Sequence, residues 1–169
     1  MSYKKLFYLV SLFAYISTSS LSFVSANQGS IIISNLSHNI SSKGKLLYKI
    51  KAKSGTMEDF HSKSLILDSI EVILINQGKP DFRIFADKGK LDTKEKNLEL
   101  NKNIRAFNDK YKITCNKLFF KNNKKMIYLD GNVKIKSETS LFLSDKGEFD
   151  IEEDTLTLTN NVKGFLNEI

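Results

Sequence analysis

The sequence predicts an all-β protein on three observations. From Ile31 onward, apolar and polar residues alternate with a period of two, as they do in half-buried strands. After Ala26, no window of about a dozen residues carries an apolar stripe at helical spacing. A pattern of strands and turns also recurs at a fixed interval along the chain. Together these features favour an all-β class.

The composition limits the classes of protein further. The chain has 169 residues, enough for one domain and a short N-terminal segment. With 41% hydrophobic and 27% charged residues, it is neither a disordered chain nor a polytopic membrane protein. The single Cys excludes a disulfide scaffold and a Cys-based zinc site.

The N-terminus is typical of a targeting segment. Lys4 and Lys5 precede a mostly apolar run over residues 6–16, and small residues precede Ala26. This is the pattern of a secretory signal peptide cleaved after Ala26. Residues 6–26 also carry no charge and are about long enough to span a bilayer, so a retained membrane anchor is the alternative. Either outcome exports the rest of the chain. We therefore divide the chain into a signal peptide or anchor (1–26), a linker (27–42) and a β-domain (43–169).

The body of the chain is predicted to consist of short strands separated by turns. Glycines at 89, 131 and 147 sit between charged or polar residues, where a turn would use their freedom at positive φ. The alternating apolar positions are Leu46, Tyr48, Ile50, Phe82, Ile84, Ala86, Tyr111, Ile113, Cys115, Leu141, Leu143, Leu156 and Leu158. One face of each strand is thus apolar and the other polar.

An internal repeat organises these strands. Residues 86–92 (ADKGKLD) recur as 144–150 (SDKGEFD). We call half of the distance along the chain between these two copies the repeat interval. It equals the step from position 86 to position 115. The repeat interval places Leu100 on Leu129, and Ile104 on Val133 and then Val162. Four stacked strand-turn-strand units are predicted, and such a body has open sheet edges at its two ends.

The sequence offers no catalytic or metal-binding constellation. His38 and His61 belong to no motif with a nucleophile or an acid cluster. The acidic residues between 145 and 154 do not follow the spacing of a calcium-binding loop, and no phosphate-binding glycine loop is present. We therefore predict a protein that is not an enzyme and has no cofactor and no metal.

The net charge of +7 needs a separate interpretation. All 26 basic residues are Lys except Arg83 and Arg105. A solvated Lys-rich surface explains the charge, and so does attraction to a polyanion such as phosphorylated lipid headgroups or nucleic acid. The stretch 117–125 combines Lys with aromatic residues as a nucleic-acid platform does, but export argues against a nucleic-acid partner.

The order and spacing of several segments resemble the LptC family of lipopolysaccharide-export proteins. These segments are 47–52 (LYKIKA), 78–92 (GKPDFRIFADKGKLD), 98–100 (LEL), 129–133 (LDGNV), 144–150 (SDKGEFD), 156–158 (LTL) and 162–164 (VKG). The related LptA/OstA family shares the strand-turn-strand units, and its typical GNV turn is present as Gly131-Asn132-Val133.

The resemblance implies a twisted, open β-jellyroll of two antiparallel sheets that carries lipopolysaccharide acyl chains in its interior. The implied role is to receive lipid from an inner-membrane ABC transporter of the LptB/LptF/LptG type and to pass it to an LptA-like periplasmic bridge protein. A soluble LptA-like bridge protein is the alternative within this class. An exported structural or adhesive β-protein without lipid binding is the alternative from another class.

Under this hypothesis the lipid-binding residues are the apolar members of the alternation. They are Ile84, Leu100, Ile104, Ile113, Leu129, Val133, Leu143, Leu158 and Val162. Two edge strands are expected to meet partners, one toward the transporter and one toward the bridge. The first contains Leu46, Tyr48 and Ile50, and the second contains Leu156, Leu158 and Val162.

Overall fold

The strands of the chain form a single antiparallel sheet in which the order of strands follows the sequence. The computed structural model describes residues 24–27, 30–42, 45–58, 62–75 and 81–166. The strands are β1 (Val24–Asn27), β2 (Ser30–Ser42), β3 (Lys45–Met57), β4 (Ser64–Leu74), β5 (Phe82–Asp92), β6 (Leu98–Phe107), β7 (Lys112–Lys121), β8 (Met126–Lys136), β9 (Ser140–Asp150), β10 (Thr155–Thr159) and β11 (Lys163–Leu166). Strands β10 and β11 both pair with β9, each along one half of it. The predicted all-β class is confirmed.

Each long strand turns a corner near its middle, and the corner changes which residues point inward. On β4, Leu65 and Leu67 are buried before the corner, and Ile70, Val72 and Leu74 are buried after it. Between the two sets, Ser69 has a φ of 50°, so the backbone there leaves the extended conformation. The sheet is thereby folded into two layers.

We call the two parts layer 1 and layer 2. Layer 1 contains residues 36–42, 45–52, 70–74, 82–86, 104–107, 112–115, 133–136, 140–144 and 163–166. Layer 2 contains residues 30–34, 54–57, 64–68, 88–92, 98–101, 117–121, 126–130, 146–150 and 155–159. The buried side chains of both layers form one hydrophobic cluster. Burying each large apolar side chain contributes about 1.5–3 kcal/mol, so this cluster is the main source of stability.

Two aromatic pairs show how the layers face each other. Tyr48 on β3 meets Phe120 on β7 edge to face, with ring centroids 5.5 Å apart. Phe82 on β5 meets Phe149 on β9 at 5.1 Å. In both pairs the layer 1 residue contacts a layer 2 strand four positions further along the chain. The layers are therefore strongly offset, as the right-handed twist of a long sheet requires.

The predicted turns at three glycines are wrong. Gly89, Gly131 and Gly147 lie inside β5, β8 and β9, at or beside the corners. What the alternation presented as two short strands is one long strand bent in the middle. Gly suits a corner for the same reason that it suits a turn, because it has no Cβ atom. At Gly131, with a φ of 74°, a Cβ would lie 2.8 Å from Nδ2 of Asn116.

The linker predicted over residues 27–42 is also wrong for most of its length. Residues 30–42 form β2, which pairs with β3 along both layers. Its inward residues Ile31, Leu36 and Ile40 are buried. The corner at Asn35, with a φ of 52°, shifts the alternation by one residue, so β2 does not show one continuous period-two pattern along its length.

The predicted targeting segment lies almost wholly outside the described residues. Its last residues, from Val24, belong to β1, which pairs with β2. Within the described ranges, no helix is long and apolar enough to cross a membrane.

Candidate lipid-binding interior and sheet edges

Eight of the predicted lipid-binding residues form three series, and the repeat interval separates successive members of each series. Ile84 and Ile113 belong to the first series, Leu100, Leu129 and Leu158 to the second, and Ile104, Val133 and Val162 to the third. Six of these eight are buried, with 5% or less of their surface exposed: Ile84, Leu100, Ile104, Ile113, Leu129 and Val133. The repeat thus places one apolar residue per unit at an equivalent inward position.

The predicted inward orientation of Leu143 is wrong. Leu143 pairs with the exposed Lys134 across the ladder, so it lies on the outer face of layer 1. Its neighbour Phe142 pairs with the buried Ile135 and packs against the core instead. Alternation alone does not distinguish Leu143 from Phe142, because both residues and Leu141 are apolar. The repeat interval does distinguish them, since it leads from Ile84 and Ile113 to Phe142.

The apolar interior reaches the surface at the C-terminal end of the sheet. Val162 is 51% exposed and Leu166 is 74% exposed. Leu156 and Leu158 on β10 are partly buried and pack against the core, as Phe142 does. We call these five residues the C-terminal mouth. Val133 and Ile135 on the layer 1 half of β8 are still buried, so the interior becomes exposed only beyond β9.

Away from the mouth, the layers are held together by polar contacts as well as by the ring pairs. The hydroxyl of Tyr48 donates a hydrogen bond to the carbonyl oxygen of Lys96 at 2.7 Å. Nζ of Lys96 in turn donates to the carbonyl oxygen of Ser41 at 2.6 Å. Burial, with a further contribution from Asp92, raises the pKa of Tyr48. The Tyr48 side chain is therefore a neutral, hydrogen-bonded clamp between layer 1 and the turn after β5.

Polar groups follow the corners on the outside of the molecule. Nδ2 of Asn103 donates to Oδ2 of Asp87 at 2.6 Å, and Nδ2 of Asn161 donates to Oδ2 of Asp145 at the same distance. A groove at the first corners is lined by Lys53, Asp87, Asn103 and Arg105 among others. Within the described ranges, no three His, Cys, Asp or Glu side chains are placed to hold a metal ion. His38 is partly buried, which lowers its pKa, and His61 lies outside the described residues.

The two predicted partner edges have different outcomes. Leu156 and Leu158 lie on β10, which among the described strands pairs with β9 alone. Val162 lies between β10 and β11 at the same end of the sheet. By contrast, Leu46, Tyr48 and Ile50 lie on β3, which pairs with β2 on one side and β4 on the other. Their assignment to an edge is wrong, because β2 covers β3. Within the described residues, the second half of β2 pairs with β3 alone and forms the edge at this end.

Sequence comparison identifies the family. The sequence profile described as Lipopolysaccharide-assembly, LptC-related, matches residues 6–167, nearly the whole chain. The chain belongs to the LptC family. The resemblance noted from the sequence is confirmed, and this LptC-family protein is a periplasmic component of lipopolysaccharide transport.

Other comparisons add less. No curated protein sequence matches this LptC-family chain. Among solved structures, it is similar to the crystal structure of LptH, the LptA homologous periplasmic component of the conserved lipopolysaccharide transport device from Pseudomonas aeruginosa. The two share 10% sequence identity with a TM-score of 0.36, over 88% of this chain and 93% of that chain. A likeness this remote adds nothing to the assignment.

Proposed function

We propose that this protein receives lipopolysaccharide from an LptB/LptF/LptG-type inner-membrane ABC transporter and passes it to an LptA-like periplasmic bridge protein. The observation that carries the proposal is an apolar interior that runs through the repeat units and opens at the C-terminal mouth. The mouth lies beside the outer side of β10, which pairs with no other strand in the described part of the chain. Each CH₂ group of an acyl chain moved from water into such an interior gains about 0.8 kcal/mol. Transfer of this kind makes and breaks no covalent bonds.

The dense packing of the interior sets a condition on lipid entry. Six of the proposed lipid-contacting residues are buried against other side chains. Acyl chains must therefore enter at the mouth and separate the layers as they advance. The sugars and phosphates of the lipid would stay in water, because burying a charge without a partner costs far more than acyl burial returns.

Strand addition is the proposed means of contact with the bridge protein. The outer side of β10 offers backbone groups to a strand of a second protein, as sheet edges do in β-augmentation. A bridge protein bound there would extend layer 2 and continue the apolar interior beyond Leu158. The second half of β2 would be the corresponding edge toward the transporter.

We also propose that residues 6–26 remain as a membrane anchor. The family match begins at residue 6, inside the apolar run. Cleavage after Ala26 would divide β1, which spans Val24–Asn27. A retained anchor would hold the domain at the membrane from which the lipid is extracted.

In-cell photocrosslinking tests the proposal at the mouth. The photoreactive residue p-benzoylphenylalanine replaces Phe142, which faces inward, or Leu143, which faces outward on the same strand. The full chain is expressed in cells that export lipopolysaccharide, irradiated and immunoblotted for lipopolysaccharide. We expect a clearly stronger adduct from position 142 than from position 143. The same contrast is expected deeper inside, between Ile113 and Thr114.

Other results would contradict the proposal. Equal adducts from positions 142 and 143 would indicate nonspecific contact with the surface. No adduct from either position, in an exported protein with native circular dichroism, would favour a structural or adhesive β-protein without lipid binding. The size of the crosslinked band also shows whether residues 1–26 are retained.

A further inference from the structure

The outer face of layer 1 is strongly basic near the C-terminal end. Cross-strand pairing places ten outward side chains of β6, β7, β8, β9 and β11 in two adjacent rows. The first row is Phe107, Lys112, Lys136, Leu141 and Phe165, and the second is Arg105, Thr114, Lys134, Leu143 and Lys163. We call these ten residues the basic face. It holds five cations, four apolar residues and no acid.

The corresponding region of layer 2 has a different character. Its ten outward residues on β6 to β10 are Glu99, Phe119, Tyr128, Glu148, Thr157, Asn101, Lys117, Asp130, Lys146 and Thr159. Two of them are cations and three are acids. In this part of the sheet, the outward side chains of layer 1 thus carry a net positive charge, and those of layer 2 do not. All five cations of the basic face are exposed, and none of them joins an ion pair within the described part of the chain.

We propose that the basic face docks on the surface of an anionic lipid bilayer. Four of its five cations are Lys, whose long apolar stems allow the ammonium group to reach the headgroups from a partly inserted surface. Between them, Phe165 is 51% exposed and Phe107 is 38% exposed, and Leu141 and Leu143 are partly exposed. A surface on which Lys side chains lie among Phe and Leu side chains is typical of proteins that bind at the membrane–water interface.

A protein partner fits the basic face less well. Protein interfaces concentrate their binding energy in Trp, Tyr and Arg and are depleted in Lys. The basic face has a single Arg, Arg105, whose guanidinium carbon lies 5.9 Å from the ring centroid of Phe85. Docking through this face leaves the strand edges of β10 and β11 free, because the face is perpendicular to the edges.

A fluorescent probe on each face tests the proposal. The full chain carries an environment-sensitive fluorophore on Leu143→Cys in the basic face, or on Phe119→Cys in layer 2 as a matched position. The native Cys115 is buried, so the label is directed to the introduced thiol. Each protein is mixed with vesicles of equimolar phosphatidylcholine and phosphatidylglycerol, or of phosphatidylcholine alone.

We expect a blue shift from position 143 on the phosphatidylglycerol vesicles only, weakening as salt is added, and none from position 119. Replacing Lys112, Lys134 and Lys136 together by Gln should lower the docked-to-free ratio about tenfold or more. The control replaces Lys90, Lys117 and Lys146 by Gln, which removes the same charge from layer 2 and should leave the ratio unchanged. Native circular dichroism confirms that all variants fold.

Several outcomes would overturn the proposal. They are an equal response at the two positions, an equal response on vesicles without phosphatidylglycerol, or equal losses from the two triple substitutions. Displacement by inorganic phosphate well beyond that by chloride at the same ionic strength would also overturn it, because it would indicate individual phosphate sites. The photocrosslinking at position 142 is independent of these results, since it reports on the interior.

Discussion

At the scale of single residues, small side chains occupy the inward positions where layer 1 approaches the corners. Ala86, Cys115 and Ser144 follow one another at the repeat interval, and all three are buried. Oγ of Ser144 donates to the carbonyl oxygen of Lys146 at 2.9 Å, so its polar group is satisfied across the corner. Burial raises the pKa of the Cys115 thiol to about 12. This Cys is therefore a packing residue with an unreactive thiol.

The raised pKa of Cys115 predicts a loss of stability in alkali. Above the ordinary thiol pKa of 9.0 the unfolded chain releases this proton, and the folded protein keeps it until about pH 12. The unfolded state then binds fewer protons, so the free energy of unfolding falls as the pH rises from 9 toward 12. Cys115→Ala should lower stability by about 1 kcal/mol at neutral pH and flatten this decline. Urea unfolding across the pH range measures both effects.

Ser144→Ala is the control, because it changes the equivalent position without a titratable group. It should leave the alkaline decline as steep as in the unchanged protein. An equally steep decline in Cys115→Ala would contradict the assignment to the thiol. Tyr48, whose pKa is also raised by burial, contributes its own decline above pH 10 in every variant.

At the scale of elements, the corners depend on residues that accept a left-handed backbone. On β6, β8 and the β10–β11 connection, each corner has two consecutive residues with positive φ. They are Lys102 and Asn103, Gly131 and Asn132, and Asn160 and Asn161. The second residue is Asn every time, and Asn tolerates this region better than any residue except Gly. The repeat therefore conveys backbone geometry as well as apolar positions.

Substitutions at Asn132, whose φ is 51°, test this dependence. Asn132→Val should destabilise the protein by about 1–3 kcal/mol, because a β-branched residue is strained at positive φ. Asn132→Gly is the matched variant and should keep or slightly raise stability, because Gly adopts this conformation without strain. The free energy of unfolding in urea measures the difference. Equal losses in the two variants would show that the Asn side chain, and not its backbone, stabilises the corner.

At the scale of the whole molecule, contacts between the layers oppose the separation of the layers that the proposed function requires. The Phe82–Phe149 pair, 5.1 Å between ring centroids, is the nearer of the two interlayer ring pairs to the C-terminal mouth. If acyl chains advance from the mouth, they must separate these rings. Under the proposed function, the pair stabilises the lipid-free state relative to the lipid-bound one, and lipid shifts the balance.

Phe149→Leu should therefore separate stability from lipid uptake. We expect a loss of about 1–2 kcal/mol in the free energy of unfolding, from lost packing and ring contact. The lipopolysaccharide adduct from position 142 should be kept or increased. The control is Gly131→Ala, which destabilises a corner without altering the facing layers, and should not increase the adduct. An adduct that falls in proportion to stability in both variants would contradict this role of the ring pair.

The sequence determined the strand class, the repeat unit and most of the interior. These features follow from local alternation and from the regular recurrence of Leu100 as Leu129 and of Ile104 as Val133. Both signals can be recognised without knowing which strands pack against each other. The same signal, extended from Ile84 and Ile113, identifies Phe142, whereas alternation alone selected Leu143 on the wrong face. The family resemblance lay in the order and spacing of segments, so it too was available from the sequence.

The positions of the bends, the identity of the edge strands and the grouping of charges on one face depend instead on how distant segments pair. Gly89 has the same sequence context in a turn and in a corner, and the difference depends on whether the chain reverses there. The apolar-polar alternation around Tyr48 would be the same on an edge strand as on an inner strand. Only the pairing of β2 with β3 shows that β3 is an inner strand. The five cations of the basic face are scattered between residues 105 and 163, and cross-strand register brings them together. Alternation is local, but edges, layers and charged faces arise from pairing between segments distant in sequence.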